Sequence, residues 1–140
     1  MNDYLQQEPT SVIALMLRAQ CRFAQLEVSR ATASASDLRL GYLMVQQDYA
    51  HALELEPTSP YLLYNAACLK VQLSDYEAAL QLFDKAIGQD PKFPDAYYSR
   101  GVTHILAGHV EQGLTDLSQA GELGLYTAYS LIKRYSVRKK

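Results

Sequence analysis

The chain has 140 residues, 49% of them hydrophobic, with 13 basic and 15 acidic side chains and a formal net charge of −2. That length suits one domain burying about two-thirds of its unfolded surface, and the apolar share suits a packed core. Five of the basic residues (Lys133, Arg134, Arg138, Lys139, Lys140) fall in the last eight positions, leaving a body of 8 basic against 15 acidic residues that argues against a broad nucleic-acid surface.

The N-terminus lacks the basic start of a signal peptide, and its first apolar run, Val12 to Leu17, is too short to be exported or to span a membrane. A cytoplasmic protein is expected, an inference that weakens if the chain is part of a longer one. Cys21 and Cys68 lie far apart inside apolar helical patterns. They read as two buried free thiols in a reducing compartment.

In chain order, residues 1–9 look like the end of an earlier repeat, since Tyr4-Leu5-Gln-Gln-Glu-Pro9 echoes Ala52-Leu53-Glu-Leu-Glu-Pro57. Val12, Met16, Ala19, Phe23 and Leu26 mark one helix; Leu38, Tyr42, Val45, Tyr49 and Ala52 mark a second, with Ser34 and Asp37 as its capping pair. Glu8-Pro-Thr-Ser11 recurs as Glu56-Pro-Thr-Ser59, 48 residues on. Compared with the 34-residue interval found later in the chain, 14 residues are extra, which is two heptads. Lengthening each helix by about seven residues keeps its apolar stripe facing the same way. Residues 10–59 are therefore read as a stretched helical hairpin, the alternative being a floppy Ser/Ala insertion. Ser59-Pro60 opens a third helix that runs to about Leu73. Ser74 and Glu77 form a capping box for a fourth, from about Asp75 to Gln89. Pro94 opens a fifth, ended by Gly108, and Val110 to Leu123 forms a sixth, ended by Gly124. Leu125, Ala128, Tyr129 and Ile132 mark an amphipathic seventh helix over 126–136, and residues 137–140 form a basic tail. The tail reads as a solubilising end in preference to a contact with an anionic partner. No strand pattern occurs.

Pro57 and Pro91 are 34 residues apart, and the stretches after them repeat one another. Ala67 matches Gly101, Ala79 matches Gly113, Phe83 matches Leu117 and Ala86 matches Ala120. Small residues let paired helices approach, the larger ones fill the space beyond, and the alanines let the next pair stack. These residues resemble the tetratricopeptide repeat, well over 60–93 and moderately over 94–125. In the latter stretch Leu125 replaces the closing proline, and Gly101, Gly113 and Gly121 are read as loosening the helices. The C-terminal run from Asp116 to Tyr135 also resembles a group of bacterial proteins of this family. The fold implied is all-α: a right-handed superhelix of stacked antiparallel helix pairs, an α-solenoid of about seven helices closed by the capping helix.

The resemblance implies that the first helix of each pair lines a concave groove for a partner segment. Aligned on this sequence, the lining is Ile13, Met16, Gln20 and Phe23 in the stretched repeat. The middle repeat offers Tyr61, Tyr64, Asn65, Cys68, Val71 and Gln72, and the next one Asp95, Tyr98, Val102, Ile105 and Leu106. The tyrosines combine a large apolar face with a hydroxyl that tolerates water, which suits apolar or aromatic anchors. The alternative is that these side chains pack within the array. Some family members grip a C-terminal carboxylate, but only Asn65 matches that set. Met16 and Asp95 stand in place of lysines and Ser99 in place of an arginine, so this use is rejected. Catalysis is not expected: His51, His104 and His109 form no metal-binding pattern, and no nucleophile triad or phosphate loop is present. The carboxylates Glu77, Asp84, Glu111 and Asp116 read as a solvated outer face. The expected role is a cofactor-free module that binds a protein or peptide segment, with no nucleic acid or membrane partner. A homo-oligomerising module and a small secretion-type chaperone are the alternatives.

Overall fold

The computed structural model describes residues 11–139, which form seven helices and no strand. They are α1 Val12–Ser29, α2 Ala35–Leu55, α3 Pro60–Gln72, α4 Tyr76–Gln89, α5 Pro94–Leu106, α6 Val110–Glu122 and α7 Ala128–Lys139. The remnant of an earlier repeat proposed for residues 1–9 and the end of the basic tail lie outside the described residues. Each helix packs against its successor and α3 also touches α5, so the described residues form a ladder of neighbouring helices. Among the described residues no helix is long and apolar enough to cross a membrane.

Local chemistry sets the helix boundaries. The hydroxyls of Ser11, Ser34 and Ser59 accept the backbone N–H groups of Ala14, Asp37 and Leu62, satisfying donors that the first turn leaves open. The fourth helix differs from expectation. Its cap is Asp75, which accepts the Ala78 N–H at 3.3 Å, while Ser74 sits one residue earlier with φ 61°. The three-residue connection after α3 needs a left-handed residue, and the equivalent position 34 residues on is Gly108, with φ 94°. Both turns close with the same bond, Asp75 N–H to Lys70 C=O (2.9 Å) and His109 N–H to His104 C=O (2.7 Å). A serine there carries the steric cost of a Cβ in this conformation, about 1 kcal/mol.

Core residues keep the 34-residue period through the second helices. Tyr49, Phe83 and Leu117 are buried at equivalent positions, as are Ala52, Ala86 and Ala120. The irregularity is confined to the front of the first hairpin. α1 has 18 residues against 13 in α3, and α2 has 21 against 14 in α4, so the extra length is mostly helix. The added turns are tied by the Tyr42 hydroxyl donating to Glu27 Oε2 at 2.9 Å and by the Phe23 and Tyr42 rings, 6.1 Å apart. Three clusters make up the core: a large one from α1, α2 and α3 around Leu15, Val45 and Leu62, a small one around Phe83, and a third joining Leu117 and Ala120 to Ala128 of α7. The last of these shows α7 covering the terminal apolar face.

The glycines of the last hairpin tighten it, contrary to the reading that they loosen it. A Cβ on Gly113 would lie 2.6 Å from the Gly101 carbonyl oxygen, and one on Gly101 would lie 2.8 Å from the Gly113 carbonyl oxygen. Backbone therefore meets backbone at this crossing. Cys21 likewise differs from expectation, being exposed on α1, whereas Cys68 is half-buried.

Candidate functional site

Two clefts open between α1, α3 and α5, with Tyr49 of α2 and Phe83 of α4 among their lining. A first cleft of about 270 Å³ lies between α1 and α3, lined by Gln20, Phe23, Ala24, Tyr49, Asn65, Cys68 and Leu69. A second, of about 200 Å³, lies between α3 and α5 and is lined by Cys68, Val71, Gln72, Phe83, Tyr98, Ser99, Val102 and Thr103. Cys68 belongs to both, so the two join into one trough running across three successive first helices. Every lining side chain is uncharged.

The polar atoms along this trough are held neutral. Burial pushes the Tyr49 hydroxyl up to about 12, with Cys68 and Asp48 adding to the effect. The Cys68 thiol is also raised, chiefly by burial, and so is a poor nucleophile. Beneath the second cleft Tyr64 is raised to about 12, first by burial, against a lowering hydrogen bond with Ser99 Oγ at 3.4 Å. Its ring stacks at tilted angles on Phe93 and Phe83, with centroids 5.1 and 6.0 Å away. The trough thus offers apolar surface, side-chain amides and hydroxyls, with the Asp95 carboxylate near enough to raise Cys68 and Tyr64 further.

Of the residues expected from sequence, Gln20, Phe23, Asn65, Cys68, Val71, Gln72, Tyr98 and Val102 come together along the trough. The others do not line it. Ile13 is 72% exposed on the outer side of α1, and Met16 packs against the first core cluster. Tyr61 is 65% exposed, its ring 5.3 Å from that of Phe93. Tyr64 packs between helices as described, Asp95 is exposed on the first turn of α5, and Ile105 reaches over Gly113 of α6. Leu106 is exposed beyond it. Tyr49 and Phe83, from second helices, were not anticipated. Their signal was present, as aromatic residues standing 34 apart in the second-helix stripe.

Two ion-pair networks lie away from the trough. Asp48 of α2 is buried, 2% exposed, and receives Arg18 Nε and Nη2, the latter at 2.6 Å, together with Arg22 Nη1 at 3.0 Å. Asp116 of α6 is buried too and accepts both Arg100 Nε (2.8 Å) and Nη2 (2.7 Å), while Arg100 Nη1 reaches Asp84 at 2.9 Å. The view of Asp116 as solvated is therefore corrected, whereas Asp84 lies on the exposed face, 63% accessible, as expected. His104 and His109 place their Nδ1 atoms 3.3 Å apart, one donating to the other. Among the described residues no group of three His, Cys, Asp or Glu side chains is arranged to hold a metal ion.

Residues 69–108 match the family model described as TPR repeat. Over that stretch the chain is similar to the tetratricopeptide repeat. The match spans the junction between the helix pairs α3–α4 and α5–α6. No curated protein is similar enough to count as a match. Among solved structures, the first TPR of Spaghetti (RPAP3) bound to HSP90 peptide SRMEEVD superposes with a TM-score of 0.76 at 18% identity, covering 91% of this chain and 92% of that one. MamA gives 0.75 at 16% identity, over 94% of this chain and 70% of its own. The Yersinia enterocolitica type III secretion chaperone SycD, in complex with a peptide of the translocator YopD, gives 0.72 at 13% identity, over 96% of this chain and all of its own. At these identities the likeness is one of fold.

Proposed function

We propose that this chain, tetratricopeptide-like in fold, is a non-catalytic interaction module that docks an uncharged partner segment in the trough across α1, α3 and α5, through apolar and aromatic anchors. The observation that carries the reading is the pair of clefts joined at Cys68 and lined entirely by uncharged side chains. Similar arrays support it: Spaghetti and SycD were solved with bound peptides. An acidic segment such as SRMEEVD finds no cation along this trough, so the expected occupant is apolar. Asn65, Gln20 and Gln72 carry amides that donate to and accept from an extended main chain, fixing its direction while the anchors supply affinity. A secretion-type chaperone gripping an apolar stretch of its client is a narrower form of the same chemistry.

The test is a peptide library sorted by charge and hydrophobicity, with binding mapped by amide chemical shifts. Uncharged peptides with aromatic or aliphatic anchors should shift Asn65, Cys68 and Val102. Tyr98→Ala should weaken the best binder by about 2 kcal/mol, roughly thirtyfold. Binding that ignores both Tyr98→Ala and Val71→Glu in folded variants would sink the proposal.

A further inference from the structure

We infer that the outward stripe of α1 is a self-association surface, through which two copies of the chain pair antiparallel about Cys21. Ile13, Leu17, Cys21, Ala24 and Val28 are all exposed and lie on one face, on the opposite side of the helix from the buried Leu15 and Ala19. Their spacing of four, four, three and four residues is that of a helix-pairing seam. Exposure is large at its bulky members, 72% for Ile13, 56% for Leu17 and 85% for Val28. Single exposed apolar residues are ordinary, but a continuous stripe two heptads long is not.

Charge and shape select a second copy as the occupant. A symmetric contact sets each face against itself, so any uncompensated charge on it would repel its twin. The stripe carries none, because Arg18 and Arg22 of α1 are turned onto Asp48. Shape differs between its two ends. Ile13 and Leu17 project at the N-terminal end, while Ala24, Gln25, Val28 and Ser29 border an open dent at the C-terminal end. An antiparallel pair centred on Cys21 seats the projecting residues of each copy in the dent of the other. A single helix pair falls at the low end of specific interfaces, below about 1,200 Å², so the dimer is weak and concentration-dependent. Ala24 borders both the stripe and the trough, but Leu17 and Val28 do not line the trough, so substitutions there test the pairing apart from peptide docking.

Sedimentation equilibrium of the full native chain should show a monomer–dimer equilibrium, weakened about tenfold or more by Leu17→Glu and by Val28→Glu, with helix content unchanged because both sites are exposed. Peptide binding in the trough should be unaffected by either change. A variant keeping only Cys21 (Cys68→Ser) should form a disulfide-linked dimer under mild oxidation, since bridging needs the two Cα atoms within about 7 Å. That linkage should form faster than in a control with Cys21→Ser, Cys68→Ser and Ser118→Cys, and should be suppressed by Leu17→Glu. A chain that stays monomeric at high concentration overturns the inference, leaving the stripe to a preceding repeat. So does a dimer indifferent to both glutamates, or a Cys21 linkage no faster than the control.

Discussion

The first and last helix pairs solve the same packing problem with different materials. In α5 and α6 two glycines bring the backbones into contact, and one arginine, Arg100, clamps the buried Asp116 with two parallel bonds. In α1 and α2 the helices are longer, Val45 occupies the place of Gly113, and the buried Asp48 is held by two arginines. Asp48 and Asp116 stand at equivalent positions two periods apart, and Leu82 fills that position in the middle pair. The comparison teaches that an aspartate–arginine tie is an optional fastening within one repeat geometry, present in the first and last described pairs and absent from the middle one.

The largest effect should come from cutting the tie. Asp116→Ala leaves the Arg100 charge partly buried without its bidentate partner and should cost about 3–5 kcal/mol in urea denaturation. Asp48→Ala should cost less, because Arg18 and Arg22 are about a quarter to a third exposed and can turn to water. Equal losses would break the distinction drawn between the two ends.

Gly113→Ala should come next, at about 2 kcal/mol, since the new methyl group would force the Gly101 carbonyl away. Val45→Ala at the equivalent site leaves a cavity instead, a smaller loss of about 1–2 kcal/mol. A neutral Gly113→Ala would mean that the backbones can separate freely.

The smallest effect concerns protons. Burial lowers the His104 pKa below its ordinary 6.5, with Arg100 and His109 lowering it further and Asp116 and Asp84 opposing. The folded chain therefore binds fewer protons there than the unfolded chain. Stability present above pH 6.5 should fall as pH drops from 6.5 toward the lowered folded value, then level off. Thermal melts of the protein and of His104→Gln across that range should differ in slope, and identical slopes would refute the assignment.

Much of this architecture was readable in the residues. Serine caps, prolines at first turns and the 34-residue interval placed the middle helices, and apolar spacing placed the first two and the last. The Cys68 stripe of the trough was readable through the family likeness. What stayed hidden depends on contacts between helices. Arg18 and Asp48 are 30 residues apart, and only the length of the turn between α1 and α2 decides that they meet. Gly101 and Gly113 read as weak helix formers until their carbonyl contact is seen. Tyr64 reads as a groove anchor through the family likeness, but its ring packs against Phe83 and Phe93. Ser74 offered a plausible cap one residue too early, because the left-handed turn took priority.

The joining of the two clefts at Cys68 has a mechanical consequence. The array is a row of separately packed cores that touch only their neighbours, so bending is easiest at the seams between them. The second cleft of the trough crosses the seam between the clusters around Phe83 and Leu117, while the first lies over the cluster that α1, α2 and α3 share. A segment lying along its full length would therefore act as a splint, setting the curvature of the whole row and making the rigidity of the array a readout of occupancy.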